Sequence, residues 1–347
     1  MELTINQTNI SKGVAILMML CIHLFNKPYE GLFQPLIFIG DQPLIFYISL
    51  FCDCAIAIYC FCSGYGLYIG YIKNNEKYDR RNYIRLFKIY INLWVVIILF
   101  VLILGSIFAS DRYPGSWLDL FLNVSAINTS YNGAWWFLTI YILLVLLSKP
   151  IFRIIERFDY KIVIAASFVI CMVSHYCRIV YADFFRQNEI HHLIFLVALF
   201  GVSLFPFVLG VISYREKWFS KWSIFIARFQ QRNLILGGLI VLGIIAHSII
   251  KTSAIAPFTG FLFIFCFNLM KLPRLLEKFL EFISVHSTNI WLTHMFFYAI
   301  FFEQLIYAPQ YPLAVYCWLL LWCIAASYLI NVFNKPLISF VNSKLEK

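Results

Sequence analysis

Apolar residues fall in ten long runs separated by short polar stretches, and the runs have the lengths of membrane-crossing helices. A spanning helix needs about 20 mostly apolar residues. Runs of that order occur near 10–26, 44–71, 86–109, 134–152, 161–180, 190–213, 233–250, 254–270, 285–307 and 312–333. The pattern predicts an all-α polytopic membrane protein with about ten transmembrane helices, a single domain over 1–347, because only helices or closed barrels satisfy the backbone in lipid. The second run exceeds the bilayer thickness, which predicts a tilt or a break near Ser63-Gly64. Residues 216–230, E-K-W-F-S-K-W-S-I-F-I-A-R-F-Q, are too short and too basic to cross. They predict an amphipathic segment in the interface.

Charge gives the runs a direction. The N-terminus, the connections after the second, fourth, sixth and eighth runs, and the C-terminal tail together hold 22 of the 27 Lys and Arg residues. By the positive-inside rule both termini are expected in the cytoplasm and the protein in the cytoplasmic membrane. Composition agrees: 13% of residues are charged and 62% hydrophobic, against about 25% charged in a soluble domain. The net charge of +10 is therefore topological, and nucleic-acid binding is not expected. The start of the chain lacks a basic segment and a small-residue cleavage site, so no signal peptide is expected. The ten cysteines sit in or beside apolar runs without C-x-x-C or zinc spacing, so neither disulfides nor a metal is expected.

Ionisable groups inside the runs are costly and mark candidate chemistry. Lys12 and His23 lie at opposite ends of the first run. Eleven helical steps return a side chain to nearly the same face about 16 Å further along. With the N-terminus inside, Lys12 is at the cytoplasmic end and His23 towards the outside. His294 lies near the middle of the ninth run, and Asp53, within the second, is expected to pair with a cation or orient a histidine. Arg81, Arg85 and Lys88 follow at helical spacing, a cluster suited to anionic lipid headgroups or to the phosphates of a nucleotide-like donor. Ser63-Gly64-Tyr65-Gly66 allows close backbone approach or a break. Trp135 and Trp136 open the fourth run as an aromatic belt or a sugar platform. His175, Asp183, Arg186, Glu189, His191 and His192 surround one outer connection, where acceptor binding is the sharper expectation beside simple solvation.

Taken in order, these segments resemble the acyltransferase-3 family of multi-pass membrane acyltransferases. The family's opening arginine, ten residues and histidine is similar to Lys12…His23. Its F-F-x-x-S-G-Y-like run is similar to I-Y-C-F-C-S-G-Y at 58–65, and its basic stretch to Arg80, Arg81 and Arg85. A W-F-L element corresponds to Trp136-Phe137-Leu138. The late S-x-x-I-Y-L-x-H run corresponds to Ser287 through His294, and an E-K-P-like tail to Asn334-Lys335-Pro336. The chain departs from that pattern in having lysine for the opening arginine, Asn82 within the R-x-x-R spacing, and Lys88 where proline is common.

The resemblance implies acyl transfer, most often acetyl, from cytoplasmic acyl-CoA to a hydroxyl of a cell-envelope glycan. His23 would be the general base, with Lys12, Arg81 and Arg85 on the CoA phosphates and Tyr65 near the donor. Ser63, Tyr65 or His294 would stabilise the oxyanion. Trp136 and Asp53 are the acceptor-side candidates. The expected partners are acyl-CoA, the glycan and the bilayer; homo-oligomer formation is open. Two other classes stay in view: a transporter or exporter of a small anion or lipid-linked glycan precursor, and a structural partner in a polysaccharide-synthesis complex.

Overall fold

All ten apolar runs are helical in a computed structural model of the chain, which describes residues 2–186 and 189–345. Helix α1 is Ile5–Phe25, and α2, Leu44–Lys73, follows a two-residue hairpin of β1 (Phe38–Ile39) and β2 (Gln42–Pro43). Then come α3 (Tyr78–Phe108), the short α4 (Trp117–Val124), α5 (Gly133–Leu146) and α6 (Ser148–Arg157). They are followed by α7 (Tyr160–Val180), α8 (Glu189–Arg215), α9 (Trp218–Ile226), α10 (Arg232–Ile249) and α11 (Ser253–Leu269). The last are α12 (Arg274–Met295), α13 (Glu303–Tyr307) and α14 (Pro312–Leu345).

Among the described residues seven helices have the length and apolarity to cross a membrane, or eight if the α5–α6 pair, bent by 55°, is one span. The expected eighth span is a shorter apolar helix, α11. The expected ninth begins in the charged first turns of α12 and continues past Met295 as a π-helix, Phe296–Phe301. The chain is thus an all-α polytopic membrane protein.

The contacts divide the chain into two units. The first holds the chain up to Ile22, Tyr47–Asn75 and Ile140–Ser284; the second holds His23–Phe46, Glu76–Thr139 and Val285 onwards.

In the first unit α2 and α8 pack backbone to backbone. A Cβ on Gly64 would overlap the Phe207 carbonyl, and one on Gly210 would overlap the Phe61 carbonyl. The expected break at Ser63-Gly64 does not occur: α2 is regular there because the glycine serves the close approach. The irregularity lies at Cys52–Cys54, a 3-10 turn. Pro206 inside α8 has no N–H to give the Val202 carbonyl four residues back. The Cys171 thiol of α7 donates to that oxygen instead, at 3.6 Å. The 216–230 stretch forms α9, which buries Phe219 and Ile226 and leaves Lys221 exposed, as an amphipathic segment should.

In the second unit the α3 helix widens to a π-helix over Ile97–Leu104, and Phe100 from that stretch stacks on Phe296 at 5.2 Å. The connection before α5 is ordered by its own polar groups. The hydroxyl and amide of Ser116 donate to Asp119 in a capping box at the start of α4. Those two donors hold the Asp119 carboxyl below its usual value.

Candidate active site

Three rings meet in the second unit where α1 ends and α12 passes into its π segment. His23 stands in the last turn of α1; His294 and Tyr298 are four residues apart on one helical face. The His23 and His294 ring centroids are 4.8 Å apart, and Tyr298 lies 6.1 Å from the first and 6.0 Å from the second. The Tyr298 hydroxyl is 3.4 Å from His23 Nδ1.

Hydrogen bonding fixes the state of His294. Its Nδ1 faces the carbonyls of Trp291 at 2.8 Å and Ile290 at 3.2 Å. Carbonyl oxygens only accept, so Nδ1 carries the hydrogen and Nε2 keeps the lone pair in the neutral ring. That Nε2 is buried without a partner, in a side chain that is 0% exposed. A buried acceptor left unmet costs about 1–3 kcal/mol. His23, by contrast, is half-buried. The pair therefore has one fully buried member with an unpartnered nitrogen and one partly accessible member.

The ring cluster rests on a bolted joint between the start of α5 and the middle of α12. The Leu292 carbonyl accepts from Asn132 Nδ2 at 3.2 Å and from Trp135 Nε1 at 2.9 Å. In return Trp291 Nε1 donates to the Ala134 carbonyl at 2.9 Å. Asn132 also caps the turn by accepting from the Ala134 amide at 2.9 Å. Because Trp291 also supplies the carbonyl that holds His294, the joint sets the direction of the imidazole.

Arg81 and Arg85 lie in the same unit, exposed near the start of α3, with Lys88 and Asn92 half-buried further along one face. Arg85 donates to Asn82 Oδ1 at 3.2 Å. Trp136 is half-buried and meets Phe137 edge-on at 5.8 Å. It is Trp135, fully buried, whose indole makes the bond to α12.

The other named residues lie in the first unit. Lys12 is half-buried, and its carbonyl accepts from the Tyr59 hydroxyl at 3.2 Å. Ser63 donates to the Tyr59 carbonyl at 2.7 Å, one turn back on its own helix. Tyr65 is 0% exposed; its hydroxyl accepts from the Leu3 amide at 2.9 Å and donates to Glu2 at 3.0 Å. Asp53, in the 3-10 turn of α2, interacts electrostatically with Arg178. Of the outer cluster, His175 is buried and Asp183 exposed, while His191 stacks on Phe184 at 3.7 Å. The side chains of Arg186, Glu189 and His192 lie outside the described residues.

Tyr298 was not legible as a site residue from the sequence, because it lies beyond Met295 in the π segment, where a four-residue spacing no longer fixes the face. Asn132 and Trp291 act through bonds that join segments about 160 residues apart, which no local spacing announces.

A family described as Acyltransferase domain matches residues 6–332 of the chain. No curated protein and no solved structure matches it significantly.

Proposed function

The chain belongs to the acyltransferase-3 family of membrane acyltransferases, and from that premise we propose that it moves an acetyl or related acyl group from cytoplasmic acyl-CoA to a hydroxyl of an envelope glycan. The observation that carries the assignment is the His23–His294–Tyr298 cluster, with its buried, unpartnered nitrogen. A buried polar atom left without a partner calls for an explanation, and a catalytic role is one of the few on offer.

In the proposed reaction the acceptor hydroxyl attacks the thioester carbonyl as His23, the accessible ring, takes its proton at Nε2. On the other side of that ring Nδ1 lies 3.4 Å from the Tyr298 hydroxyl. His294 Nε2 has no partner in the resting structure, and the proposed reaction pairs it with the His23 imidazolium as that forms; the CoA thiolate leaves with the proton from His23. Arg81 and Arg85 are set to hold the donor's phosphates, since guanidinium forks match phosphate oxygens. The bonding of Ser63 and Tyr65 within their own unit supports structural duties for both.

Purified protein supplied with acetyl-CoA and the glycan is the test. His23→Ala is expected to lower kcat about 10²- to 10⁴-fold, the usual worth of general base catalysis. Transfer at the undiminished rate would remove His23 from the reaction. Glycan export that continues in a deletion strain while acetylation disappears would exclude a transporter.

A further inference from the structure

The backbone beside His23 is held by a group that no step above uses. Helix α1 ends at Phe25, and Pro28 just beyond it cannot continue a helix. The carbonyls in the last turn of a helix have no amide of their own helix to serve them. For the Leu24 carbonyl the amide would come from residue 28, where proline has no N–H to give. The Tyr307 hydroxyl of α13 donates to that oxygen instead, at 3.1 Å. Leu24 and Tyr307 are both buried, a setting in which an unmet carbonyl is costly.

A second tie joins the same two stretches of chain. The Gln34 amide donates to the Gln310 carbonyl at 2.7 Å. Between the two ties the connection folds back on the helix end: Phe25 meets Phe33 edge-on at 5.2 Å, and the Tyr29 hydroxyl donates to the Phe33 carbonyl at 2.7 Å. Helix α13 has attachments of its own, because Ile306 is 0% exposed and Trp318 Nε1 of α14 donates to the Leu305 carbonyl at 3.1 Å. Loss of one hydroxyl would therefore leave α13 seated and release the end of α1. His23 is the residue before Leu24, and its ring stands 4.8 Å from that of His294. Tyr298 meets the histidine at its ring, and Tyr307 holds the residue next to it.

We propose that Tyr307 is a positioning residue for the acyl transfer. Its hydroxyl closes the last turn of α1 and so fixes the direction in which the His23 imidazole leaves the helix. The inference rests on the reading of His23 as general base and adds a residue that acts through it. A reacting group displaced by about 1 Å can lose roughly two orders of magnitude in rate, because the near-attack geometry is met less often. The hydroxyl thus contributes to rate without itself taking a proton. Tyr307→Phe keeps the buried ring and removes the donor alone.

The test uses the whole protein in nanodiscs, with radiolabelled acetyl-CoA as donor and the host's envelope polysaccharide, stripped of its acyl groups by mild base, as acceptor. Tyr307→Phe is expected to lower kcat roughly 3- to 30-fold and to leave KM for acetyl-CoA within about twofold. Added to His23→Ala, where the base is gone, the same substitution should change the residual rate by less than about twofold. Hydrogen exchange of the same Tyr307→Phe sample should quicken at the last turn of α1 and stay unchanged in α12. Full activity in Tyr307→Phe would overturn the inference, as would unchanged exchange at the end of α1. An equal loss with and without His23 would also overturn it and would leave His23 as the base. If His23→Ala alone transfers at the undiminished rate, the reading of His23 falls, and the role of Tyr307 with it.

Discussion

His294→Leu is expected to make the protein harder to unfold and worse at its reaction. The imidazole is completely buried with Nε2 unpartnered, and such an unmet acceptor costs about 1–3 kcal/mol. Leucine has a similar volume and removes that cost. The bonds from Nδ1 to the Trp291 and Ile290 carbonyls are lost, but both oxygens lie in a helix whose own backbone amides serve them. The net effect is therefore a gain of about 0–2 kcal/mol, a few degrees in Tm at most for a chain of this size. Activity moves the other way. A hydrogen bond to a charged group contributes about 1.5–3 kcal/mol. Removing the lone pair that supports the His23 imidazolium should then cost kcat roughly 10- to 150-fold. Thermal unfolding in detergent and acetyl transfer by the same sample measure the two effects together. A variant destabilised by several degrees with full activity would show that His294 is a packing residue, and the case for the imidazole pair would collapse.

Other substitutions probe separate parts of the argument. Gly64→Ala places a methyl group against the Phe207 carbonyl, and this overpacking should cost about 1–3 kcal/mol, seen as a lower Tm. An unchanged Tm would mean that α2 and α8 can separate freely. Arg85→Gln should raise KM for the acyl donor several-fold and leave kcat within about twofold, as expected for uniform binding. A fall in kcat alone would move Arg85 from binding to chemistry. Asp119 has a depressed pKa, so its support of α4 is complete above the unfolded carboxylate value of about 3.9 and is lost as pH falls through the lower folded value. Hydrogen exchange at the start of α4, corrected for intrinsic pH dependence, should rise below about pH 4. Asp119→Asn should raise it already at neutral pH. A profile identical in both forms would dismiss the capping box as a stabilising element.

Long-range geometry is what the pattern of apolar runs could not supply. Run length and hydropathy carried the helices because lipid leaves the backbone no other way to bond itself, and that constraint is local to each run. Ser63-Gly64 shows the limit. Glycine permits either a break or a close approach, and only the presence of Phe207 on another helix decides between them. Tyr65 shows it again, since its hydroxyl is taken by Glu2 and Leu3, about sixty residues earlier. His23 and His294 could each be named from the cost of an ionisable group in an apolar run. Their meeting joins helices from opposite ends of the chain, which no local spacing announces. The π segments add a further obstacle, because residues beyond Met295 no longer follow the 3.6-residue count.

Cys171 bears on how this protein can be labelled. A cysteine-free background is the usual start for attaching probes, and alanine or valine is the habitual replacement. Here the thiol is the only hydrogen-bond donor described for the oxygen that Pro206 leaves open, so an apolar residue would strand a carbonyl inside α8. Serine keeps a donor at nearly the same place and is the replacement that the helix can accept. A probe-ready version of the chain should carry Ser at 171, whatever residues replace the other nine thiols.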